Sequence, residues 1–157
     1  MKKIVTTSLL YLLCTSFAIA ATTEEGQRIT RLTEQTPKAL TTNFTGKASS
    51  ISMFSARAPM QANGAYVTFE PGARTYWHEH PTGQSLVILE GEGWIGEEGK
   101  PKTLVRAGDT VVCPPGVKHW HGATDKSSMK HFAISERRPD KQTAIWYGPV
   151  SEEEYKN

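Results

Sequence analysis

The sequence predicts an all-β domain, a sandwich or barrel of short strands, with a brief helix at its end. Three observations carry that expectation. From Phe44 onward the chain is a series of short β-rich runs: "SSISMFS", "GAYVTFEPG", "ARTYWHEH", "SLVILEGEGWIG", "KTLVRAGDTVVCPPG", "KHWHGA" and "MKHFAISE". Glycine and proline separate them at regular intervals, as strand–turn–strand folds require. Only the tail, "SEEEY", carries a helix start: Ser151 and Glu154 have the spacing of a capping box. At 157 residues there is room for one domain around one core.

Taken in order, residues 1–20 read as a signal peptide. "MKK" supplies a short positive start, "IVTTSLLYLLCTSFAIA" an apolar stretch, and "AIA" the small residues that a signal peptidase accepts. The apolar core is short and threonine-interrupted, which fits a cleaved leader better than a membrane span. The expectation is an exported protein of the bacterial periplasm. Loss of Lys2 and Lys3 takes the 18 basic residues to 16, equal to the 16 acidic ones, so no basic excess remains to attract nucleic acid or an anionic membrane. Cys14 leaves with the leader, and Cys113 in "TVVCPP" is then a lone thiol suited to a buried strand. Residues 21–43 are polar and threonine-rich. They read as an arm or linker with at most a weak helix between Gly26 and Gln35, and residues 44–157 form the domain. Within it "EEGKP" marks a hairpin tip, and "RAGD" is a tight turn needing Gly108.

The five histidines fall in three of these runs. On a strand, residues i and i+2 share a face, so His78 projects with His80 and His119 with His121. The "PTG" turn can return Gln84 to the same face, and His131 lies on a later strand. A single strand histidine is usually a satisfied core or surface residue. Two H-x-H pairs, with an amide oxygen donor after the first and a rigid "PPG" turn before the second, point instead to a metal. Imidazole and amide oxygen suit Mn, Fe, Co, Ni or Zn, and four protein ligands leave positions for water or substrate.

Gly72 to Gly91 reads G-x5-H-x-H-x3-Q-x6-G, and Gly108 to His119 reads G-x5-P-x-G-x2-H. These resemble the two motifs of the cupin superfamily, whose fold is a jelly-roll barrel or double-stranded β-helix. The resemblance spans about Phe44 to Tyr155 and implies His78, His80, Gln84 and His119 as metal ligands. The chain departs from the usual pattern twice, with Gln84 where glutamate is common and Ala123 where asparagine is common. A glutamine keeps the site more positive and leaves any base to lie outside the ligand set. His121 and His131 are the candidates.

Within that superfamily the run "ARTYWHEHPTGQ…GEGW…PPGVKHWHGA…MKHFAISE" is similar to small bacterial cupins that include manganese-dependent hydroxynitrile lyases and carboxymuconolactone-decarboxylase-associated cupins. The resemblance implies Mn(II) first among the candidate metals, His131 as base, and Ala65, Val67 and Thr75 as pocket residues. Ser135 stands where those lyases carry glutamine. Tyr76, two residues before His78, is a further pocket candidate. The expected function is a metal-dependent lyase acting on a small carbonyl or hydroxy compound. An iron-dependent dioxygenase and a non-catalytic metal-dependent binding module are the alternatives. Trp77, Trp94, Trp120 and Trp146 are assigned to packing, and Arg74 to the surface. Phe132 and Ile134 alternate with His131 and should face outward, where a homodimer partner could cover them.

Overall fold

The computed structural model describes residues 26–140 and 142–157, so residues 1–20, expected to be a signal peptide, lie outside the described residues. Among these, twelve strands and one helix follow a 3-10 turn at Leu32–Glu34. The strands are β1 (Lys38–Leu40), β2 (Phe44–Thr45), β3 (Ala48–Phe54), β4 (Ala62–Phe69), β5 (Arg74–Thr75), β6 (His78–Glu79), β7 (Gln84–Glu97), β8 (Thr103–Arg106), β9 (Thr110–Cys113), β10 (His119–Ala123), β11 (Met129–Glu136) and β12 (Ile145–Trp146). Helix α1 (Glu152–Lys156) closes the chain, and both hydrogen bonds of the Ser151–Glu154 capping box form. The arm is partly structured, since β1 pairs with β3 as an edge strand.

All pairings are antiparallel, and they form two sheets that share β7. One runs β1-β3-β4-β11-β7-β9; the other joins β8, β7, β10, β5 and β2, with β6 between β10 and β12. The first half of β7 pairs with β11 and β9, and its second half with β10 and β8. The crossover is at Gly91, whose φ of 72° favours glycine and where a Cβ would lie 1.8 Å from the Ser128 carbonyl oxygen. This corner lets one strand curl from sheet to sheet and gives an all-β, nearly closed jelly-roll barrel. The expected turn at Gly108 forms with φ of 98° between β8 and β9.

Phe69, Leu86, Ile88 and Met129 fill the barrel interior, with Val67 and Ala133 packed against them. A second apolar cluster, Trp120, Val150 and Tyr155 with Trp77 and Trp94 beside it, seats α1 on the outside. Arg74 belongs to that contact, contrary to the surface position expected from sequence. It is 3% exposed, donates to the Val150 carbonyl at 3.1 Å and to Glu152 at 2.7 Å, and stacks over the Tyr155 ring. The aliphatic stem and planar head of arginine bury well here because backbone carbonyl, carboxylate and π-face meet them together. On the outer face of β11, Phe132 is covered by Phe54 and Tyr66, while Ile134 is 37% exposed.

A candidate metal centre inside the barrel

Register explains why the histidines meet. His119 pairs directly with His78 across β10 and β6, which places both side chains on the inner face. Gly122 pairs with Arg74 on β5, so three steps along β10 face four along the opposite chain. The extra residue is a bulge at Tyr76–Trp77 that re-aims the chain. Thr75 and His78 are therefore both buried, although simple alternation would separate them. Trp77 is turned to the outer cluster.

His78, His80 and His119 bring their ligating nitrogens within 4.8 Å of one another, and all three residues are buried. Their other nitrogens are held by backbone: His78 Nδ1 to the Tyr76 carbonyl at 3.0 Å, His80 Nδ1 to Thr143 at 2.6 Å, and His119 Nδ1 to Val117 at 2.9 Å. A carbonyl only accepts, so each Nδ1 carries the proton and each Nε2 keeps its lone pair. His80 Nε2 is buried without a hydrogen-bond partner. Gln84 Oε1 lies 3.5 Å from His119 Nε2, so its amide adjoins the three imidazoles. Backbone hydrogen bonds to Nδ1 of this kind are what orient ligating imidazoles.

The electrostatics agree. Burial holds His78 well below the usual histidine range, His80 down to about 4, and His119 also low. All three are neutral at pH 7 and free to coordinate. No carboxylate belongs to the cluster. The residues thus fit a borderline divalent metal held by neutral donors.

A second histidine pair adjoins the first group. His131 Nε2 lies 3.2 Å from His121 Nδ1, and the His121 ring centroid is 5.2 Å from that of His78. Burial pushes His131 down to about 3 and His121 well below its normal value. His121 Nε2 and His131 Nδ1 are both buried and unpartnered. Phe69 walls the pair, its ring 5.7 Å from His121 and 5.5 Å from His131.

The remaining sequence candidates are spread around this group. Val67 pairs with His131 and Ala65 with Ala133, which places both on the interior face of β4. Thr75 Oγ1 accepts the His121 backbone N–H at 3.1 Å. Ser135 pairs with Gln84, and both line a cleft of about 290 Å³ with Cys113 and Pro115. Tyr76 is half-buried, and what it brings to the cluster is its carbonyl, which orients His78. Sequence reasoning missed Thr143 and the role of Trp146. The Trp146 ring stacks on His78 with centroids 4.6 Å apart. No spacing rule links residues 143–146 to a motif more than sixty positions earlier.

Comparison with known proteins agrees with this geometry. Residues 65–135 match the cupin domain family. The chain is 45% identical over 113 residues to an (R)-mandelonitrile lyase of Granulicella tundricola, an alignment covering 72% of this chain and 86% of that one. It superposes on a cupin-like protein of Thermotoga maritima with a TM-score of 0.72 and 37% identity, covering 81% of this chain and 96% of that one. A predicted oxalate decarboxylase from Thermotoga maritima shares the fold, with a TM-score of 0.62 at 22% identity over 76% of this chain and all of that one. Barrel topology, an interior histidine cluster and these likenesses lead to one assignment: the chain belongs to the cupin family.

Proposed function

We propose that this protein is a metal-dependent lyase that breaks or makes a carbon–carbon bond beside a carbonyl carbon in a small hydroxy or carbonyl compound. The observation that carries the reading is the cluster of three buried imidazoles with their Nδ1 protons engaged and their Nε2 lone pairs converging. His78, His80 and His119 would hold the ion, with Gln84 as an oxygen donor. Mn(II) is the proposed metal, and the donor set is also compatible with Fe(II), Co, Ni or Zn. Bound there, the ion supplies Lewis-acid chemistry, stabilising negative charge on a substrate oxygen.

Proton transfer falls to His131, supported by His121. One proton is shared between His131 Nε2 and His121 Nδ1. If His131 donates it, the free lone pair is at His131 Nδ1; if His121 donates, the lone pair is at His121 Nε2. Either tautomer leaves one buried basic nitrogen without a partner. In cyanohydrin cleavage the imidazole takes the hydroxyl proton and the bond to the nitrile carbon breaks. Its electron pair leaves with cyanide, the C–O bond becomes a carbonyl, and the imidazolium returns the proton to cyanide. Val67 and Ala65 beside His131 would form an apolar wall for a small substrate. Similarity to the mandelonitrile lyase supports this choice of substrate class.

Mn(II)-loaded protein should release cyanide from mandelonitrile, and His131→Ala should lower turnover by about 10²–10⁴-fold, the usual worth of a positioned acid–base group. Unchanged turnover in His131→Ala removes the base. Absence of cyanide release from fully loaded wild type removes the cyanohydrin reading. Export to the periplasm, and a homodimer formed through the outer face of β11, complete the proposal; fractionation and light scattering test them.

A further inference from the structure

We propose that the segment Thr143–Tyr147 is a positioning strap for the metal ligands, with Trp146 as its working residue. The proposal rests on the metal-site reading above. Strand β6, which carries His78, is two residues long and lies between β10 and β12. On one flank it has the pairing of His78 with His119. On the other it depends on β12, where Trp146 pairs with His78 and Ile145 with Glu79. The strap is tied at both ends of this contact. The Trp77 amide donates to the Gly148 carbonyl at 3.1 Å, the Tyr147 amide donates to the Trp77 carbonyl at 2.9 Å, and the Tyr147 hydroxyl donates to Glu79 at 2.9 Å.

Two of the three imidazoles take their orientation from this segment. The Thr143 carbonyl fixes the His80 tautomer at 2.6 Å. The Trp146 indole lies nearly parallel to the His78 ring, with an interplanar angle of 28°, and Phe44 backs it at 6.0 Å. Trp146 is 37% exposed, so it roofs His78 at the rim rather than filling the core. A large planar side chain kept at the surface beside a buried imidazole limits the tilt of that ring. Hydrogen-bonding groups that orient a ligating histidine typically matter to metal affinity by about 10–100-fold, and the stacked indole is expected to act within that range.

The test is binding of Mn(II) alone, read from the electron paramagnetic resonance of free ion, beside thermal melting of the metal-free protein. Trp146→Ala is expected to weaken Mn(II) binding by about 10–100-fold, and Trp146→Phe to recover most of that loss. Wild-type affinity in a folded Trp146→Ala protein overturns the strap. Wild-type protein that binds no Mn(II) or other transition ion overturns the metal reading instead. Should Trp146→Ala fail to fold, wild type labelled with 5-fluorotryptophan decides the matter, its Trp146 resonance assigned by comparison with Trp146→Phe. One equivalent of Mn(II) should broaden that resonance more than those of Trp77, Trp94 and Trp120. A sharp Trp146 signal in the loaded protein refutes the placement.

Discussion

His131 should make the metal-free protein sensitive to acid, and the size of the effect follows from its burial. In the unfolded chain a histidine titrates near 6.5, whereas burial holds His131 at about 3. Above pH 6.5 neither state is protonated and the residue contributes no pH dependence. Below 6.5 the unfolded chain binds a proton that the folded barrel refuses, so stability falls with pH until about pH 3. Each pH unit in that window is worth about 1.4 kcal/mol, so moving from pH 7.5 to pH 5 costs roughly 2 kcal/mol from this residue. His78, His80, His119 and His121 are depressed in the same sense, so wild type should lose more than that in total. The perturbation is His131→Leu, and the assay is urea unfolding of chelator-treated protein at the two pH values. The variant should lose about 2 kcal/mol less than wild type between them. Equal losses in the two proteins would mean that His131 is not held neutral by the fold, and the argument for a buried neutral base would fail with it.

The other expectations concern the ligand set, the thiol and the corner of the barrel. Gln84→Glu adds a negative charge beside three neutral imidazoles and should tighten Mn(II) binding while lowering affinity for anions; isothermal titration with Mn(II) and with azide measures both, and weaker metal binding would place Gln84 outside the ligand set. Burial pushes the Cys113 thiol up to about 11, so a disulfide reagent should label native protein slowly at pH 8 and faster as pH rises; rapid labelling at pH 7 would contradict its burial. Gly91→Ala drives a Cβ to within 1.8 Å of a backbone oxygen and should cost more than about 2 kcal/mol in chemical denaturation or prevent folding, and a neutral effect would show that β7 does not turn there.

Much of the fold was legible because its signals are local. Alternating apolar runs, the Gly108 turn and the Ser151–Glu154 capping box each act within a few residues, and each forms as the local chemistry requires. The three clustered histidines were also legible, since two H-x-H pairs, one before the "PTG" turn and one after the "PPG" turn, leave few other uses for them. Arg74 was misjudged because a lone arginine on a strand looks solvent-bound. Only the docking of α1 supplies the carbonyl, carboxylate and ring that bury it. Alternation alone does not predict that Thr75 and His78 are both buried, because the offset between them depends on pairing with β10.

Residue types and their spacing thus determined the barrel and the candidate donor residues, three of which the fold gathers into one buried group. Tertiary structure decided which nitrogen of His80 is free, which histidines sit as a separate pair, and that Thr143 and Trp146 adjoin the site. His78 and His119 each take their tautomer from the carbonyl two residues earlier, a local contact, whereas His80 depends on the Thr143 carbonyl, far away in the chain. The His121–His131 pair and the stacking of Trp146 on His78 likewise join segments that no local pattern links.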